Sequence, residues 1–179
     1  MATSLPFRTN SEKRLPSYFY RLSSRAQRTY LKSDSVERFD YVPNAAARNS
    51  VDALMRVLEA DNLAAATTCA RALTAEICRA LATPPVNVEI RGVRPRNTRG
   101  ELHGLFYPYD PRLRRPPYIV LWMRTAQRHD VVKPKTFVRT LMHEIGHYLD
   151  YALLRLEDSY HTQGFFKRES SLVRALFNS

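Results

Sequence analysis

The sequence predicts an α+β fold on three observations. Apolar residues recur at helical spacing through the first half, short apolar runs broken by prolines fill the middle, and helical periodicity returns in the last third. Residues 17–32 place Phe19, Leu22, Ala26 and Tyr30 on one helical face, with Ser17 as N-cap. Residues 45–60 repeat the pattern with Val51, Leu54, Met55 and Leu58, and Asp61 and Asn62 interrupt it. A third helix over 63–82 carries Leu63, Ala66, Ala70, Leu73 and Ile77 and is stopped by Pro84 and Pro85. Residues 86–90 and 102–107 alternate, and 118–123 is a continuous apolar run, so a small three-stranded sheet is expected. The segment 108–117 contains four prolines and must be a loop. Helices over 135–155 and 164–177 close the chain. At 179 residues one domain spanning 1–179 is expected, with a mainly helical part over 1–85 and the strands and last helices over 86–179.

No stretch approaches the roughly 18 apolar residues of a membrane span, so no membrane partner is expected. Cys69 and Cys78 lie nine residues apart in one predicted helix, too far to bridge; reduced thiols fit an intracellular, cytoplasmic setting. Residues 1–33 are rich in Arg and Ser, but Arg-rich composition runs through the whole chain, so a transit peptide is not the preferred reading. The net charge of +11 is uneven: +6 over 1–32, −3 over 33–90, +7 over 91–128 and +1 over 129–179. Residues 91–128 hold nine arginines and could face DNA, another polyanion or an acidic protein surface. The whole chain has only five lysines, so a general preference for Arg explains the block equally well.

Chemistry enters at FVRTLMHEIGHYLDY, residues 137–151, which contains HExxH. On a helix His143 and His147 lie one turn apart on the same face, so both imidazoles can reach one zinc ion. Glu144 is rotated by about 100° from His143, which suits a general base acting on a metal-activated water. Phe137, Leu141, Ile145, Tyr148 and Leu149 supply an apolar surface to bury this helix. The motif predicts a Zn2+-dependent peptidase acting on a protein or peptide, within a zincin-like fold.

A catalytic zinc needs a third protein ligand. Asp150 shares the face of His143, but three ligands on one straight helix make poor tetrahedral geometry; it reads as an acceptor orienting a histidine, or as a surface acid. His161 follows a turn containing Glu157, Asp158 and Ser159, just before the last helix. Glu169 lies inside that helix, flanked by Lys167 and Arg168, and is the alternative. Tyr148, Tyr151, Tyr160 and the arginines of 91–128 are candidate oxyanion donors. An exposed edge strand could take up an extended substrate. The rival class, a noncatalytic basic nucleic-acid module with structural zinc, would need four protein ligands, and no cysteines lie near the motif.

TLMHEIGH, followed after thirteen residues by HTQGF, resembles the SprT and Spartan family of zinc metalloproteases, whose third histidine stands four residues before an aromatic, as His161 does before Phe165. The likeness spans about residues 86–179, and only the metal motif is specific. The resemblance implies His143, His147 and His161 as zinc ligands, Glu144 as base, and substrates associated with or crosslinked to DNA. Thr162 stands where the family often has Gly, and no cysteine ribbon follows. A gluzincin-like arrangement through Glu169, in RESSLVRAL, resembles small peptidases that cleave transcriptional repressors.

Overall fold

The computed structural model describes residues 15–97 and 100–177, so residues 1–14 of the basic lead, and Arg99 of the basic block, lie outside the described residues. The fold is mixed α and β. Five α-helices are described: α1 Ser24–Ser35, α2 Ala45–Glu59, α3 Leu63–Ala80, α4 Pro134–Ala152 and α5 Gln163–Phe177. The strands are β1 Asn87–Val93, β2 Arg96–Asn97, β3 Gly100–Glu101, β4 Gly104–Tyr107 and β5 Tyr118–Arg124.

The predicted helix over 17–32 is two pieces. A 3-10 turn spans Ser17–Arg21, Leu22 and Ser23 are extended, and Ser23 rather than Ser17 caps α1 by accepting from the Ala26 N–H. The break lets Phe19 fold back against Tyr30, ring centroids 5.2 Å apart. Asn44 and Asn62 cap α2 and α3 in the same way. Cys69 and Cys78 are free thiols. Among the described residues no helix is long and apolar enough to cross a membrane.

The main sheet has the order β1-β5-β4, with β1 parallel and β4 antiparallel to the central β5. β5 is buried from Ile119 to Met123 because both faces are covered: Ile119, Leu121 and Met123 join the main core, while Val120 and Trp122 are buried outside it. A small hairpin, β2–β3, adds a second sheet that the sequence did not anticipate. β4 is an edge strand. The proline-rich connection from β4 to β5 is closed by reciprocal hydrogen bonds between Asp110 and Arg115.

Pro134 opens α4 at the first-turn position where its missing N–H is harmless. Phe137, Val138, Leu141, Met142, Ile145 and Leu149 bury its apolar face in a core that also takes Leu54 and Leu58 of α2, Leu73 and Ile77 of α3, Val88 of β1 and Leu172 of α5. That burial holds the opposite face of α4 against β4 and α5.

The last helix is fixed to α1 by polar groups. Thr162 is buried and its hydroxyl accepts the Phe165 N–H, capping α5, while 3.3 Å from the Ser33 hydroxyl. The Asp34 carboxylate accepts the Gly164 N–H, and a Cβ on Gly164 would stand 2.5 Å from the Asp34 carbonyl oxygen, so only glycine permits this approach. Arg168 is fully buried, donates to the carbonyls of Ser33 and Val36 and to the Ser33 hydroxyl, and pairs with Asp150 at 2.8 Å. Its guanidinium also lies over the rings of Phe39 and Phe165.

Replacing Arg168 by Leu strands a buried carboxylate and two carbonyls, and is expected to destabilise the protein by about 3–5 kcal/mol. Urea unfolding reads this directly; a loss well under 1 kcal/mol would show that the pair does not hold α1, α4 and α5 together.

Candidate metal centre

α4 presents His143, Glu144 and His147 on its cleft-facing side, and the connection over 153–162 brings His161 back above them. That connection is anchored: the Leu153 and Leu154 N–H groups donate to the Leu149 carbonyl, the Leu156 N–H donates to that of Asp150, and Arg155 turns the chain with φ at 55°. The three Nε2 atoms converge, with His143–His147 at 3.2 Å, His147–His161 at 3.1 Å and His143–His161 at 3.0 Å. Among the described residues these three form the cluster suited to holding a metal ion.

The ring orientations decide what this cluster can do. Ser159 Oγ donates to Asp150 Oδ2 at 2.7 Å, so it accepts from His147 Nδ1, also at 2.7 Å. His143 Nδ1 is 2.9 Å from Glu169 Oε2, a carboxylate that can only accept. Both Nδ1 atoms therefore carry the proton, and both Nε2 lone pairs point at the shared centre. Lone pairs about 3 Å apart repel unless a cation lies between them. Three nitrogens each about 2.0–2.1 Å from a tetrahedral ion would stand about 3.3 Å apart, close to the observed triangle. The donor set thus fits zinc. Phe165 floors the cluster, its ring centroid 5.1 Å from His143, 4.6 Å from His147 and 5.2 Å from His161.

Glu169 stands on the Nδ1 side of His143, away from the shared centre, and also pairs with Arg139 at 2.8 Å. Burial opposes its ionisation, but the hydrogen bond and charge of His143, with Arg139, hold it below the ordinary carboxylate range. Asp150 is fully buried rather than a surface acid, and reaches His147 through Ser159. Glu144 is buried beneath β4, and burial pushes its carboxyl up to about 7 against the lowering effects of His143 and the Phe106 N–H. A Cβ on Gly104 would lie 2.6 Å from Glu144 Oε1, so glycine is what lets β4 pass over this carboxylate.

The three histidines, Glu144, Gly104 and Ser159 line a cleft of about 290 Å³ with Leu105, Phe106, Pro108 and Tyr151. Of the oxyanion candidates, Tyr148 is buried and donates to the Pro84 carbonyl, and Tyr160 packs on Tyr30. Tyr151 lines the cleft, with its hydroxyl donated to Asp158. In the basic block, Arg91 pairs with Glu89, Arg124 with Asp61, and buried Arg94 with Glu101. Ser159, Gly104 and Arg168 are site-supporting residues that sequence reasoning did not single out; none carries a spacing signal. Comparison of the chain with protein-family models, curated proteins and solved structures finds no match.

Two outcomes are expected. Ser159→Ala removes the acceptor that orients His147 and should weaken zinc binding about 10–100-fold by competition with a chromophoric chelator; an unchanged affinity would show that His147 needs no such partner. In the metal-free protein, burial first, and then the His143 and His161 charges, lower His147 to about 3 from an ordinary 6.5. Between those values the unfolded chain binds the extra proton, so this residue's contribution is present above 6.5 and lost as pH falls, at up to about 1.4 kcal/mol per pH unit. Urea midpoints from pH 7 down to pH 4 that do not fall, or that fall equally in His147→Gln, would contradict this.

Proposed function

We propose that this chain is a zinc-dependent metallopeptidase of the zincin type, similar to the SprT and Spartan proteases. The observation that carries the reading is the convergence of His143, His147 and His161 at 3.0–3.2 Å beside a buried Glu144. When bound, zinc supplies Lewis acidity and makes water a nucleophile near neutral pH. Glu144 takes a proton from the attacking water and passes it to the amine nitrogen released when the C–N bond breaks. The Glu144 carboxyl lies beside the three histidines in the same cleft, within reach of a water held there. His143 and His147 are oriented for ligation by Glu169 and Ser159. Glu169 contacts Nδ1 rather than the shared centre, which favours His161 as third ligand and leaves Glu169 an orienting role.

The substrate reading rests on β4. It pairs with β5 on one side, and on its other side the Phe106 N–H reaches the Glu144 carboxylate. An extended peptide adding to this edge would lie across Glu144 and the three histidines, so unfolded or extended protein segments are the natural substrates. The resemblance to the SprT and Spartan family, together with the arginines of 91–128, extends the proposal to proteins associated with nucleic acid in an intracellular setting.

Glu144→Gln should keep stoichiometric zinc and lower cleavage of an unfolded protein by about 10²–10⁴-fold, with DNA raising the wild-type rate. His161→Ala should lose zinc while Glu169→Ala keeps it at reduced affinity. Undiminished cleavage by Glu144→Gln would remove the mechanism, and a rate indifferent to DNA would remove the nucleic-acid part.

A further inference from the structure

Beside the metal centre, at the Tyr107 end of β4, lies a groove of about 410 Å³ that shares Phe106, Pro108 and Tyr151 with the catalytic cleft. Its wall is aromatic: the Phe106 ring packs 6.1 Å from Tyr148, nearly edge to face, and 5.7 Å from Tyr151. Pro84, Pro108 and Pro117 line it without backbone N–H groups to offer. The Tyr148 hydroxyl is given to the Pro84 carbonyl and that of Tyr151 to Asp158. A polar side chain entering here would lose water and find few donors, whereas an aromatic ring would gain contacts. Arg155 is the one charged side chain among the lining residues. The Gly104 end of the strand is different, with Glu101, His103, Arg139 and Glu169 around it.

We propose that this groove is the subsite for an aromatic or large aliphatic side chain of the peptide, within the two residues preceding the scissile bond; this rests on the peptidase reading. The direction follows from the strand. β4 runs from Gly104, over Glu144, to Tyr107, and Phe106 and Pro108 at that end line the groove. Antiparallel pairing is the more stable per residue, and an antiparallel peptide enters at the groove and leaves past Gly104. The groove therefore receives residues on the N-terminal side of the bond.

Two readouts test this on the zinc-loaded full chain. Cleavage sites mapped in a denatured peptide library should be enriched in Phe, Tyr, Leu or Met within the two preceding positions. Binding of otherwise identical peptides to the Glu144→Gln protein should favour Phe over Ser there by about 10- to 100-fold. Tyr109→Ala, which trims a 58% exposed wall residue, and Ala152→Leu, which fills the floor, should each shrink that ratio at unchanged zinc content. Equal binding of Phe and Ser peptides, a ratio unmoved by both variants, or enrichment only after the bond would overturn the subsite. Cleavage without the Phe preference removes the groove and leaves the peptidase reading. A Phe preference in binding without cleavage of any substrate removes the peptidase reading and leaves an apolar peptide-binding groove.

Discussion

Arg168 has no solvent contact, and a guanidinium in that position costs several kcal/mol of desolvation unless its N–H groups find acceptors. The two terminal nitrogens find theirs in the Ser33 and Val36 carbonyls and the Ser33 hydroxyl at the end of α1, and in the Asp150 carboxylate on α4, while the Nε–H has no hydrogen-bond partner among the described residues. Three helices are thereby set relative to one another by one side chain. The other oxygen of Asp150 fixes Ser159, and Ser159 fixes the ring of His147. α1 is therefore coupled to one histidine of the three-histidine cluster through hydrogen bonds of 2.5–3.0 Å, which gives it a supporting part in that cluster rather than a separate one.

The two glutamates near the centre show how packing divides one chemistry into two roles. Glu144 lies beneath β4, where burial outweighs His143 and the Phe106 N–H and its carboxyl is pushed up to about 7. Glu169 is also buried, but it faces His143 Nδ1 on one oxygen and Arg139 on the other and is held below its ordinary value. In the metal-free chain the first carboxyl therefore holds its proton more readily, and the second keeps a negative charge that orients an imidazole. Gly104 makes the first environment and Arg139 contributes to the second.

Much of this was legible in the residues. The α+β class, the three strands of the main sheet, and the helices from α2 onward follow from period and punctuation, because each carries a long apolar face or a capping residue. The pairing of His143 with His147 follows from helical spacing alone. The broken helix at Leu22 and Ser23 was not legible, since Phe19 and Tyr30 meet by folding back rather than by staying on one helical face. The β2–β3 hairpin is only two residues per strand and leaves no periodic trace. Ser159 and Arg168 were hidden for a different reason. Their partners lie 9 to 135 residues away in sequence, and a serine in an acidic turn or an arginine between Lys and Glu carries no mark of burial. The surplus of arginines was visible, but its partial use in pairs with Glu89, Asp61 and Glu101 was not.

The central claim is that three imidazoles hold one zinc ion. X-ray absorption at the zinc edge of the loaded protein tests it most directly. The geometry predicts three imidazole nitrogens at about 2.0–2.1 Å and one further light ligand, with one imidazole lost in His161→Ala. A spectrum with two imidazoles and a carboxylate that changes in Glu169→Ala but not in His161→Ala would contradict it.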